Sequence, residues 1–115
     1  MPVRKHGDIE EVAVNMKDVT GVTKKVPIGK DEGWTTNTLR VFKVAPGGHT
    51  PRHSHDWEHV NYVMAGKGKL TINDETFILE KNDFALVPPG ATHQYENPFE
   101  ADFEFICIVP AKGDY

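Results

Sequence analysis

The sequence predicts an all-β fold arranged as a small sandwich or barrel, and three observations carry that expectation. Val, Ile and Thr number 12, 6 and 9, against 4 Leu and 7 Ala, so intrinsic preference leans toward strands. Gly and Pro, at 10 and 8, cut the chain into short segments, the punctuation typical of sandwiches and barrels. No stretch carries the 3.6-residue apolar period of a long amphipathic helix. A chain of 115 residues has room for one domain.

Taken in order, the segments support this reading. Residues 1–20 form the weakest part, an arm within which Val12-Ala13-Val14 is a candidate strand. Thr36 to Val44 reads as a strand that stops at Ala45-Pro46-Gly47-Gly48. Glu58 to Met64 reads as another, ended by Ala65-Gly66-Lys67-Gly68. Lys69 to Ile72 and Glu75 to Leu79 flank Asn73-Asp74 as a hairpin. Phe84 to Val87 is a short apolar strand before Pro88-Pro89-Gly90, and Ala101 to Val109 alternates in polarity up to Pro110.

Composition excludes several function classes. The formal net charge is −4, with no basic stripe for nucleic acid and no polybasic patch for a membrane surface. No apolar run approaches the ~18 residues of a membrane span, and the N-terminus carries no apolar signal region. A single Cys cannot support a disulfide framework. The expectation is a reduced, cytoplasmic protein.

The chemistry lies in the histidines. His53 and His55 are two apart, a spacing that points both side chains to one face of an extended chain. His59 follows four residues later and returns to that face. His93 comes from a separate segment after a Pro-Gly turn. Neutral imidazole is the commonest protein ligand for divalent transition metals, so this spacing predicts a metal site. His55-Asp56-Trp57-Glu58-His59 also fits H-x-x-E-H, a metalloprotease pattern that requires a helix. Pro51 upstream and Val60-Asn61-Tyr62-Val63 downstream favour extended chain instead.

These residues resemble the cupin family. Gly47-x5-His53-x-His55-x3-His59-x6-Gly66 is similar to the first cupin motif, G-x5-H-x-H-x3,4-E-x6-G. Asn82-x5-Pro88-x-Gly90-x2-His93-x3-Asn97 is similar to the second, G-x5-P-x-G-x2-H-x3-N. Asn82 stands where the family has Gly, and Asn tolerates a left-handed backbone. His59 stands where the family has its ligand Glu. The spacing to Gly66 keeps His59 in register, and a slip to Glu58 would reverse the face.

The resemblance implies a double-stranded β-helix, or jelly-roll barrel, over residues 21–115. Residues 1–20 would be an arm or strand, exchanged between the subunits of a homodimer. It also implies one divalent metal (Mn, Fe, Ni, Cu, Zn or Co) held by His53, His55, His59 and His93. Four neutral ligands leave the full +2 on the ion, where a His3Glu set leaves +1.

Alternation from the histidines outward sets the expected pocket. Asn61 and Val63 share the inward face with His59, and Tyr95 shares it with His93. In the last strand Phe103, Phe105, Cys107 and Val109 lie on one face, with Ile106 and Ile108 on the other and available for a dimer contact. Arg40 and Phe42 share a face of the earlier strand, and Arg40 is either a pocket cation or an edge charge. The pocket set is therefore Arg40, Phe42, Asn61, Val63, Tyr95, Phe105 and Cys107. Cys107 is read as a small buried apolar residue, Trp57 as a rim or packing residue. No general base other than Tyr95 or Glu58 stands near the ligands. This favours chemistry centred on the metal and dioxygen: a dioxygenase acting on a small anionic substrate. A Lewis-acid isomerase or decarboxylase, or a non-catalytic binding module, are the alternatives.

Overall fold

A computed structural model describes residues 3–113. Nine strands run through them: β1 (Val12–Ala13), β2 (Thr20–Ile28), β3 (Asn37–His49), β4 (His59–Ala65), β5 (Lys67–Ile72), β6 (Glu75–Glu80), β7 (Phe84–Val87), β8 (His93–Glu96) and β9 (Phe103–Pro110). Every pairing is antiparallel. The order is β6-β5-β8-β3-β9-β4-β7, with β2 pairing β3 and β1 pairing β2. The result is a nearly closed all-β barrel of jelly-roll type. Helical structure among the described residues is limited to 3-10 turns at His6–Asp8, Lys30–Glu32 and Ala111–Gly113. No helix among the described residues is long and apolar enough to cross a membrane.

β3 joins the two layers. Its first part pairs with β9 from Asn37↔Pro110 to Val44↔Phe103. The strand does not end at Ala45 as the sequence suggested. It bends through Pro46-Gly47-Gly48 and crosses to β8, where Gly47 N–H donates to Asn97 O at 2.7 Å and Asn97 N–H donates to Gly48 O at 3.0 Å. Glycine permits the crossing, because a Cβ on Gly48 would lie 2.6 Å from Thr20 O and 2.9 Å from Ala45 O. Asn97 locks the far side: its Nδ2 donates to Val44 O and Ala101 O, each at 2.8 Å.

β2 went unrecognised in the sequence. Its lysines, Gly21 and Pro27 obscure the alternation. As a neighbour of β3 it tolerates Pro27 at a break in the ladder between Lys25 and Ile28. It begins at Thr20, within the segment read as an arm. β1 folds back on it within the same chain, Val12↔Lys24 and Ala13↔Thr23.

The core lies between the layers. Alternation along β9 buries Phe103, Phe105, Cys107 and Val109 to 1% exposure or less, leaving Ile106 and Ile108 half-buried outside. Val44 and Val63 flank them on the neighbouring strands, and Leu70, Val87 and Tyr95 pack into the same cluster.

Candidate metal centre

Backbone pairing assembles the histidines. Beyond β3 the chain continues alongside β8. Thr50 N–H donates to Tyr95 O at 2.9 Å, and His53 and His93 exchange backbone hydrogen bonds at 3.2 and 2.8 Å. Gly90 N–H, in the turn before β8, donates to His55 O at 2.6 Å. The two histidine-bearing segments are thus tied together through main chain. No helix forms over 55–59; β4 begins at His59, which pairs with Val87. His59 turns into the barrel, 3% exposed, while the neighbouring Glu58 stays half-buried.

His53, His55 and His93 each offer a ring nitrogen within 4.8 Å of the others'. The His53 ring centroid is 4.2 Å from that of His55 and 4.9 Å from that of His93. His59 stands beside this trio but outside it. Its ring stacks on His55 at 5.3 Å and meets His93 edge-on at 4.7 Å. Trp57 lies flat on the far side of His55, 4.5 Å away and 4° from parallel.

The ring nitrogens are sorted by their partners. His93 Nδ1 sits 3.0 Å from Ala91 O. A carbonyl can only accept, so Nδ1 carries the proton and Nε2 presents its lone pair. His59 Nδ1 lies 3.5 Å from Cys107 Sγ. The Nε2 atoms of His59 and His93 are buried with no hydrogen-bond partner among the described residues. Buried polar atoms rarely go unpaired, and donor nitrogens of this kind suit a soft-to-borderline divalent ion. Burial holds all four imidazoles neutral. His53 is pushed down to about 4, first by burial and then by its histidine neighbours. His59 is pushed down to about 3, first by burial and then by His93 and Arg40. His55 and His93 are lowered, also chiefly by burial.

A narrow cleft, open to solvent at its mouth, adjoins the histidines. Arg40, Phe42, Tyr95, Phe105 and Cys107 line it together with His53, His59 and His93. Of the expected pocket set, Asn61 and Val63 do not line it. Asn61 is buried behind the wall, accepting from Tyr95 Oη–H at 2.5 Å and donating to Ile106 O at 3.2 Å. Val63 is core. Arg40 is wholly buried, not an edge charge; its Nη2 donates to Cys107 Sγ at 3.2 Å and its guanidinium lies over the Phe42 ring. Sequence reasoning missed Val14, Met16, Val19 and Val22, which close one side of the cleft. They belong to the N-terminal segment, whose placement depends on the unrecognised β2.

Known proteins share this architecture. A polyketide cyclase, RemF from Streptomyces resistomycificus, superposes with a TM-score of 0.90 at 27% identity, over 96% of this chain and 80% of that one. A predicted oxalate decarboxylase from Thermotoga maritima gives 0.82 at 21% identity, over 94% and 97%, a likeness of fold. In sequence, a 1-methylthio-D-xylulose 5-phosphate methylsulfurylase of Rhodospirillum rubrum is 29% identical over 79 residues, 69% of this chain and 51% of the relative. A mannose-1-phosphate guanylyltransferase of Klebsiella pneumoniae is 37% identical over 74 residues, 63% of this chain and 15% of the relative. The chain therefore spans about half the length of the first relative and a small part of the second. The cupin domain profile matches residues 40–109, the stretch that holds the crossing of β3, the histidine segments and β9. With barrel and profile in agreement, the chain belongs to the cupin domain family.

Proposed function

We propose that this chain is a metal-dependent cupin enzyme acting on a small anionic organic molecule, with His53, His55, His59 and His93 holding one divalent transition metal. The observation that carries the reading is the pair of buried, partnerless Nε2 atoms on His59 and His93, beside the trio of His53, His55 and His93. His59 completes the set by a small swing of its ring, already packed on two of the three. A divalent ion held by four neutral imidazoles keeps its full charge and supplies Lewis-acid polarisation of an oxygen ligand.

The remaining residues shape the substrate space. Phe42, Phe105 and Tyr95 form an aromatic wall, with Phe42–Phe105 and Tyr95–Phe105 centroids 5.7 and 4.5 Å apart. Arg40 adds a fixed positive charge to the same cleft, which attracts an anion strongly in so apolar a setting. The Tyr95 hydroxyl is committed to Asn61 behind that wall, so a carbonyl or enolate substrate would take its polarisation from the metal. Isomerisation, cyclisation or decarboxylation of such a substrate is the favoured reaction class. The names of a cyclase and a methylsulfurylase among the relatives support it. Dioxygenase chemistry is the second reading, favoured by a cleft lining without Asp or Glu.

Elemental analysis of the purified protein, then turnover of small carboxylates and enediols with and without dioxygen, tests both. One transition metal per chain with oxygen-independent turnover is expected. Stoichiometric oxygen uptake selects the dioxygenase. Failure to retain any added transition metal overturns the metal reading.

A further inference from the structure

We infer that Cys107 is a positioning residue: its thiol sulfur accepts from His59 Nδ1–H, fixing His59 in the tautomer whose buried, partnerless Nε2 carries the lone pair. The inference rests on the metal reading for its purpose and not for its geometry. Cys107 Sγ is 3.5 Å from His59 Nδ1, within reach of a sulfur hydrogen bond. The direction of that bond follows from what else surrounds the sulfur. Arg40 Nη2 donates to it at 3.2 Å, and the Asn61 side chain also reaches it. Arg40 is a donor only, so the sulfur is set among donors and takes the acceptor role. A thiol proton aimed at Nδ1 would force the His59 proton onto Nε2, a buried atom with no hydrogen-bond partner among the described residues.

The arrangement parallels His93, whose Nδ1 is fixed by Ala91 O. There the backbone supplies the acceptor. His59 starts β4, and its backbone is committed to the ladder with Val87, so a side chain from β9 supplies the acceptor instead. Register makes this possible: Asn61 pairs with Cys107 on β9, and Cys107 pairs in turn with Arg40 on β3. Arg40, Cys107 and His59 form a buried line running from β3 through β9 to β4. Partners of this kind raise the precision of metal ligands, and their loss costs about 10–100-fold in metal affinity.

The test is ¹⁵N NMR of the His59 ring in metal-free protein, with Zn²⁺ titration of the same samples. In the wild type, His59 is expected as the Nδ1–H tautomer. Cys107→Ala should give a tautomer mixture and bind Zn²⁺ about 10–100-fold more weakly. Cys107→Ser, which keeps an acceptor, should restore both. An Nε2–H tautomer in the wild type overturns the inference without need of any variant. So does a Cys107→Ala protein with unchanged tautomer and affinity. A wild type that holds the expected tautomer yet takes up no Zn²⁺ supports the positioning role and sinks the metal function instead.

Discussion

His59 carries most of what is particular to this chain, because it stands where the family motif has an acid. Its burial against the half-buried Glu58 sets up a direct comparison. His59→Ala should weaken Zn²⁺ binding by more than the ~10–100-fold typical of a supporting residue, and Glu58→Ala by less than that. Calorimetric titration of both variants checks it, and equal losses would return the ligand assignment to Glu58. Burial of the imidazoles has a second consequence. An unfolded histidine takes up a proton near pH 6.5, whereas His53 and His59 resist until about 4 and about 3. Between these limits the unfolded chain binds more protons, so stability is fully present above about pH 6.5 and falls as pH drops. Thermal melts of metal-free protein should show Tm decreasing from about pH 7 to about pH 5, a window above the titration of the carboxylates. A Tm that is flat there would mean the rings are hydrated. The clustering of His53, His55 and His93 was legible because periodicity and motif spacing act locally. Cys107's bond to His59 was not, since it depends on the register between strands 48 residues apart in sequence.

At the scale of the element, two glycines show how the strands reach their positions. Gly66 adopts φ +74, and a Cβ there would strike Asp102 O. Gly68 lies against the Phe103 ring, where a Cβ would sit 2.1 Å from two ring carbons. Phe103 is fully buried and has nowhere to withdraw. Gly68→Ala should therefore cost about 1–3 kcal/mol, the range for overpacking a core, read from urea unfolding. Gly7→Ala, with open space around it, serves as the control. The strands most evident in the sequence were those bounded by turn residues: the hairpin about Asn73-Asp74, and β7 before Pro88-Pro89. Asn82 takes φ +75, the left-handed backbone expected where the motif has Gly. β2 was hidden because an outer strand need not alternate cleanly, and its Lys24 and Lys25 read as loop. The pocket wall formed by Val14, Met16 and Val19 was lost with it. Non-local placement of an irregular segment has no periodic signal.

At the scale of the whole molecule, exposed apolar side chains gather on the outer face of β7 and β4. Strand register lines up Leu86, Val60, Ile108 and Leu39 in one row and Phe84, Tyr62 and Ile106 in the next, which ends at the buried Val41. Phe84 is 75% exposed, Leu86 58% and Val60 44%. Phe84 and Leu86 belong to β7, which ends the strand order, so an apolar surface and an open strand edge coincide. Such edges are normally blunted by charge, proline or a covering element, and β7 itself carries none of these. Exposed apolar side chains gathered in contiguous rows mark an interaction surface. A standard interface on this face would bury about 800 Å² per partner. The same packing would cover Ile106 and Ile108, which otherwise leave β9 half-wet. The expected species is therefore a homodimer, about twice the 12.9 kDa chain mass by light scattering at micromolar concentration. Joint substitution of Phe84→Lys and Leu86→Lys should convert it to single chains. Both side chains point away from the barrel, whereas Val87, the partner of His59, is 1% exposed and points inward. The monomeric variant should accordingly keep its Zn²⁺ affinity within about threefold, about 0.6 kcal/mol. A wild type that scatters as one chain would refute the dimer. A variant that loses both the dimer and the metal would show that the interface holds β7, and through it His59, in place.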